Sequence, residues 1–220
     1  MTWLLIMPKV PSFTDPDLYR NADLDENSVD PDPFHQFSAW FRDAMDSGIS
    51  EPEAMFLATA NENGIPSGRI VLMKGFDPKG FIFFTNYSSR KGSEISVNPF
   101  VAIAFHWKEI DRQVRITGKV EKISAGESEE YFYTRPLESQ ISAMISLQST
   151  VIPDRKTLEK KFDEMKRGIN QHKPRRPVNW GGFRVIPSSF EFWQAGPFRL
   201  HDRIQYRLEN EKWIIERLAP

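Results

Sequence analysis

Cysteine is missing from all 220 residues. That absence excludes disulfides, thiolate catalysis and the common structural zinc sites together, and with it goes the expectation of a reducing, cytoplasmic setting. Neither sign of charge is in excess. Lys and Arg number 29 against 30 Asp and Glu, for a net charge of -1, so no overall field gathers nucleic acid or anionic membrane, and any anion site must be local. Long apolar runs are also lacking. The opening Met1-Thr-Trp-Leu-Leu-Ile-Met7 has no basic stretch before it and is too short to span a bilayer, so it reads as a soluble tail. There is no G-x-x-x-x-G-K-[ST] loop and no G-x-G-x-x-G after a strand, which removes the usual ATP and dinucleotide cradles. G-x-S-x-G and H-E-x-x-H are absent as well. His35, His106, His172 and His201 lack metal-like spacing, and no metal is expected.

What is present is a foldable chain with an aromatic-rich core: 40% apolar and 13% aromatic, including 17 Phe and 6 Trp. Residues 1–31 read as an irregular arm rich in Pro, Asp and Asn, and residues 32–220 as one domain. Asp32-Pro33 supplies an N-cap and an N1 proline, after which Phe34, Phe37, Trp40, Phe41 and Met45 mark one helical face before Gly48. From Ala54 to Ile123 short apolar or alternating runs alternate with turn signals: 54–60, 69–76, 81–86, 101–107 and 112–123, with Ser89-Arg90-Lys91 able to open a short helix. Helices are expected at 127–134, stopped by Pro136, at 139–146, and over Leu158, Phe162 and Met165 up to Gly168. Strand character returns at 182–186, 190–194, 203–209 and 212–217. Six or more strands with helices grouped between them point to an α+β antiparallel barrel rather than a doubly wound sheet.

Four constellations could carry chemistry. In Arg199-Leu200-His201-Asp202-Arg203 an extended chain would put Arg199, His201 and Arg203 on one face about 7 Å apart. Three cation-capable neighbours make sense if an anion or electron-rich ring covers them; the alternative is a solvated edge-strand face with Asp202 paired to one arginine. Ser67-Gly68-Arg69 to Lys74, with Thr85 and Ser89-Arg90-Lys91, gathers hydroxyls and cations near a possible helix N-terminus, which suits a phosphate. Arg69 and Lys74 are an odd number apart and would face opposite sides of a regular strand, unless a bulge intervenes or each has its own ligand. Tyr131 and Arg135 stand i, i+4 on a helix, with Ser139 just beyond Pro136, another phosphate-like set or else a surface contact. Trp180-Gly181-Gly182 and Glu191-Phe192-Trp193-Gln194 place indoles beside glycines, for ring stacking or simply for the core. Two phosphate-grade clusters with stacking aromatics argue for two phosphorylated aromatic ligands in one site.

From about Asp32 to Pro220 the chain resembles the pyridoxamine 5'-phosphate oxidase family. The resemblance is carried in order by Ser67-Gly-Arg-Ile-Val-Leu-Met-Lys74, Ser89-Arg-Lys91, Arg112-Gln-Val-Arg115, Tyr131-Phe, Thr134-Arg-Pro136, Ser139-Gln, Gln148-Ser149, Trp180-Gly-Gly182, Phe192-Trp-Gln194, Arg199-Leu-His-Asp-Arg203 and Arg217-Leu-Ala-Pro220. It implies a split-barrel FMN-binding fold and a homodimer holding FMN at the subunit interface. By position it makes Arg69, Ile70, Val71, Leu72, Met73, Lys74, Phe84, Thr85, Arg90, Lys91, Gln113, Gln148, Ser149, Trp193 and Arg203 flavin ligands. Lys74, Tyr131, Arg135 and Ser139 would hold the substrate phosphate, with Arg199 and His201 as catalytic residues over the pyridine ring. Phe84 stands where the family commonly has Tyr, Ser142 and Met144 where it has Gly and Trp, and Pro16 and Asp17 where basic residues are often found.

The activity implied is oxidation of pyridoxamine 5'-phosphate and pyridoxine 5'-phosphate to pyridoxal 5'-phosphate, with O2 reduced to hydrogen peroxide. A rival reading is a non-catalytic flavin or pyridoxal phosphate carrier on the same barrel. Another is a nucleic-acid-binding barrel using 155–176 as a basic strip, but the interleaved Glu159, Asp163 and Glu164 make a solvated helix the better account. No nucleic acid and no membrane is expected as a partner.

Overall fold

The computed structural model describes residues 24–169 and 174–220; most of the expected arm, residues 1–23, lies outside them. The chain forms two compact units, and strands β5 (Phe100–Trp107), β6 (Arg112–Lys122) and β7 (Trp180–Gln194) run through both.

The first unit comprises the described residues up to Pro52, with His106–Val114 and Phe190–Pro220. Its helix α1 (Pro33–Asp46) starts as expected: Asp32 Oδ1 accepts from Phe34 N at 2.8 Å and Pro33 fills the first turn. The apolar face of α1 is buried. Phe34 meets Phe190 edge-on at 5.2 Å, Trp40 meets Phe192 at 5.2 Å, and Phe192 meets Tyr206 at 5.5 Å, geometries that aromatic quadrupoles favour. Strands β8 (Asp202–Glu209) and β9 (Lys212–Arg217) form a hairpin whose Asn210-Glu211 turn has positive φ at both residues, matching the right-handed twist of its strands.

The second unit, Glu53–Phe105 and Arg115–Ser189, carries β1 (Ala54–Ala60), β2 (Pro66–Leu72), β3 (Gly75–Asp77) and β4 (Gly80–Asn86), with helices α2 (Arg90–Val97), α3 (Ala125–Thr134), α4 (Leu137–Ile145) and α5 (Arg155–Gly168). Its strands are ordered β2-β1-β5-β6-β7-β4-β3. β1 pairs antiparallel with β2 and β5, and β4 with β3 and β7. Alternate residues of β1, β4 and β5 supply the core: Met55, Leu57, Phe81, Phe83, Ile103 and Phe105 are buried, as period-two geometry requires.

The α+β class read from the sequence stands, with three local corrections. The run 69–76 is not one strand: β2 ends at Leu72 and β3 begins at Gly75. The runs 182–186 and 190–194 are one strand, β7, which continues past Pro187 because the hydroxyls of Ser188 and Ser189 bond Thr117 of β6, to its carbonyl at 3.2 Å and its hydroxyl at 2.6 Å. Finally, 199–203 is not extended. Pro197–Arg199 forms a single 3-10 turn in which Phe198 and Arg199 have positive φ, and β8 starts only at Asp202, so the period-two face of Arg199, His201 and Arg203 does not exist. Among the described residues no helix is long and apolar enough to cross a membrane.

Candidate functional site

The second unit opens a cavity of about 850 Å³ lined by β2, the Met73-Lys74 break, the end of β4, the start of α2, the α3–α4 corner, Gln148-Ser149 and Trp180. The break explains the parity problem: with β2 ended at Leu72, both Arg69 and Lys74 reach the lining. Ile70, Val71 and Leu72 line it too, whereas Met73 is buried and does not.

Charge is the cavity's main property. Arg69, Lys74, Arg90, Lys91 and Arg135 line it, and among the described residues no Asp or Glu does. Helix α2 begins there: Ser89 accepts from Gly92 N, and Arg90 and Lys91 occupy the first turn, where they oppose the helix dipole unless an anion offsets them. Lys91 is buried. Its Nζ donates to Thr85 Oγ1 at 3.0 Å, and Thr85 donates onward to Gln148 Oε1 at 3.2 Å. Burial, and then the nearby Arg69 guanidinium, lower the Lys91 pKa. Among the described residues the cluster's counter-charge is the buried Glu94, paired with Arg69 at 3.4 Å and Arg90 at 2.9 Å.

Across the cavity an aromatic stack forms the floor. Phe84 and Tyr131 stack at 3.8 Å, Phe84 and Trp180 at 5.6 Å, and the Arg135 guanidinium lies over Trp180 at 4.7 Å. Arg135 is not on a helix, as i, i+4 spacing from Tyr131 would have it, but at the C-cap of α3 in extended conformation. Its buried Nη1 has no hydrogen-bond partner among the described residues. Burial lowers the Arg135 pKa and raises that of Tyr131. An anion accepting from this corner, where Ser139 also stands, would restore the Arg135 charge and hold Tyr131 still more firmly as the neutral hydroxyl donor.

Gly181 and Gly182 are explained by close approach. A Cβ on Gly181 would fall 2.2 Å from Tyr87 Oη, and one on Gly182 2.4 Å from Ile123 Cδ1 and 2.9 Å from the Phe84 ring. The pairing of Phe84 with Gly182 across β4 and β7 is what lets the Phe84 ring lie flat on Tyr131.

The remaining expected site residues, Gln113, Trp193, Arg199, His201 and Arg203, belong to the first unit and none lines this cavity. There Trp193 and His201 rings meet at 4.7 Å, His201 Nδ1 accepts from Gly196 N at 3.2 Å, and Arg203 Nε donates to Glu191 at 2.9 Å. Burial, then Arg199, lower the His201 pKa. Asn86 and Glu94 were not foreseen. Asn86 lines the cavity and donates to Ser146 O at 3.2 Å; Glu94 had only its i, i+4 spacing from Arg90 to signal it.

Residues 41–167 match the family model "Pyridoxamine 5'-phosphate oxidase", and residues 180–220 match "Pyridoxine 5'-phosphate oxidase C-terminal dimerisation region". The pyridoxine/pyridoxamine 5'-phosphate oxidase of Burkholderia ambifaria is 50% identical over 205 residues, covering 92% of this chain and 95% of the relative. That of a Nostoc species is 49% identical over 203 residues with the same coverage. Among solved structures, PhzG from Burkholderia lata, in complex with tetrahydrophenazine-1-carboxylic acid, has a TM-score of 0.86 at 28% identity, covering 91% of this chain and 98% of that one. A pyridoxamine 5'-phosphate oxidase-related, FMN binding protein from Nostoc punctiforme shares the fold, with a TM-score of 0.70 at 15% identity over 87% of this chain and 100% of that one. The fold is the split β-barrel of these proteins.

Proposed function

Because the chain belongs to the pyridoxamine 5'-phosphate oxidase family, we propose that it binds FMN and oxidises pyridoxamine 5'-phosphate and pyridoxine 5'-phosphate to pyridoxal 5'-phosphate. The amine substrate consumes O2 and water and yields ammonia and hydrogen peroxide; the alcohol consumes O2 and yields hydrogen peroxide.

The observation that carries this reading is a cavity lined by five cations and no acid, which holds Lys91 with only a hydroxyl for a partner and Arg135 with a free Nη1 among the described residues. Such a site is stabilised by phosphate dianions, with charge-assisted bonds roughly twice as strong as neutral ones. The donor set fits FMN. Arg69, Thr85, Arg90 and Lys91 would hold its phosphate at the N-terminus of α2, while Gln148, Ser149 and the 70–74 segment would border its ring system. Bound there, FMN supplies the acceptor for hydride from the substrate carbon that bears nitrogen or oxygen.

The protein's contribution is orientation and electrostatics. Tyr131, Arg135, Ser139 and Lys74 hold the substrate phosphate, and the Phe84–Tyr131–Trp180 stack excludes water from one wall. Arg199 and His201 orient the pyridine ring, and His201, kept neutral by its lowered pKa, takes a proton. A second copy of the chain supplies these two residues with Gln113, Trp193 and Arg203, a role in keeping with the dimerisation region matched at 180–220.

Anaerobic visible spectroscopy tests the reading. Pyridoxine or pyridoxamine 5'-phosphate should bleach the flavin spectrum, and air should restore it. A yellow protein that never bleaches would be a carrier, and one unable to take up FMN would overturn the proposal.

A further inference from the structure

Glu94 lies behind the cavity wall and collects donors from three elements. Its Oε2 accepts from Thr59 Oγ1 of β1 at 2.5 Å, from Ser67 Oγ of β2 at 2.5 Å and from Arg69 Nη2 at 3.4 Å; its Oε1 accepts from Arg90 Nε, one turn earlier on α2, at 2.9 Å. The residue is 6% exposed. Burying a carboxylate is unfavourable until its partners offset the lost hydration, and an apolar side chain would fill the same space at no such cost. What the carboxylate does that an apolar group cannot is fix two arginines.

The Arg90 side chain is 62% exposed, so without a tie it would sample many rotamers, and ordering it on binding would weaken the ligand's hold. The bond at Nε holds the stem and leaves both Nη groups for the cavity that Arg90 lines. Arg69 is fixed from the same carboxylate, directly and through hydroxyls: its Nη1 donates to Thr59 Oγ1 and its Nη2 to Ser67 Oγ, both at 2.5 Å. We propose that Glu94 is a positioning residue for the phosphate end of the cofactor, holding Arg90 and Arg69 in their binding geometry before FMN arrives. This rests on the FMN reading given above.

Positioning and simple charge compensation make opposite demands on the Glu94→Gln variant. A glutamine oxygen can still accept from Arg90 Nε, and its amide nitrogen can donate to Thr59 and Ser67, whose hydroxyls accept as readily as they donate. Glu94→Gln therefore loses the charge and the direct 3.4 Å contact with Arg69 Nη2, but keeps the bond to Arg90 and the two hydroxyls that hold Arg69. Glu94→Ala loses the charge and every one of its contacts.

The experiment titrates apoprotein with FMN and, separately, with riboflavin, which lacks the phosphate, following quenching of flavin fluorescence. Glu94→Ala should weaken FMN by about tenfold or more while leaving riboflavin within about twofold, as expected for one misplaced charge-assisted contact. Glu94→Gln should retain the wild-type ratio of the two affinities. A general structural role would weaken both flavins alike and overturn the inference. So would a Glu94→Gln variant as defective as Glu94→Ala, because then charge and not geometry matters. Should Glu94→Ala not fold, Glu94→Asp, whose shorter stem cannot reach Arg90 and both hydroxyls together, is read by the same ratio. Wild-type apoprotein that takes up no FMN would overturn the cofactor reading and this inference with it. Wild-type protein that binds FMN, beside a Glu94→Ala variant with an unchanged ratio, would overturn the inference alone.

Discussion

Among the described residues Lys91 Nζ has a single hydroxyl at 3.0 Å for a partner, and burial, then the neighbouring Arg69 guanidinium, disfavour its charge. A bound phosphate would relieve both burdens. Lys91→Met, which keeps the stem's volume, should raise the FMN dissociation constant by roughly 10- to 100-fold in a fluorescence titration, the usual worth of one charged hydrogen bond. Glu94 behaves in the opposite way. Burial alone would raise its carboxyl, but hydrogen bonds from Ser67, Thr59 and Arg90 outweigh it and hold the group at about 2, against an ordinary 4.5. A group lowered on folding adds stability that is fully present above its unfolded value and is lost as pH falls through its folded one. Urea denaturation at stepped pH should therefore show the wild type losing on the order of 3 kcal/mol more than Glu94→Gln as pH falls from 4.5 towards 2. At this scale the sequence shows the residues that can hold anions, since Arg, Lys and Ser stand out by type. It does not show Glu94 as more than an i, i+4 partner of Arg90, because Thr59 and Ser67 reach it only through the register of β1 on β2.

Elements announce themselves through their ends. Asp32-Pro33 and Ser89 are caps whose side chains bond the first turn, and these local contacts are written in neighbouring residues. Interruptions are harder to read. Nothing local says that 69–76 breaks at Met73-Lys74, where Met73 N turns to Glu53 O and Lys74 N to Ile82 O, or that β7 runs on through Pro187. The loop at 197–201 misleads an alternation argument because Phe198 and Arg199 adopt positive φ, a conformation only tertiary packing makes worthwhile in such residues. Gly182 allows a test at this scale. Gly182→Ala puts a methyl 2.4 Å from Ile123 and 2.9 Å from the Phe84 ring, which should cost about 1–3 kcal/mol in urea denaturation as β7 and β4 separate or the stack tilts. Substrate KM should rise with it.

For the whole molecule, the proposed site draws on both units while the cavity is lined by one of them. If a second copy completes it, two variants that are inactive alone should rescue each other. Arg199→Ala and Arg135→Ala proteins, mixed, unfolded and refolded together, should recover about a quarter of wild-type activity, because half the dimers are hybrids and each hybrid has one intact site. No recovery, with dimers verified by sedimentation, would place both halves of the site in one chain.

The sequence by itself determined the class of fold, the caps, most strand and helix positions, and which residues can bind anions or stack on rings. These depend on residue type and on periods of two or 3.6, which are properties of neighbours along the chain. Tertiary structure alone decided that Arg69 and Lys74 share a wall, that Arg135 leaves its helix to lie over Trp180 with its Nη1 unpartnered among the described residues, and that one buried carboxylate gathers Arg69 and Arg90. The physical reason is that each of these depends on strand register and on where an element stops, and those are settled by burial of the Phe-rich core rather than by any local preference.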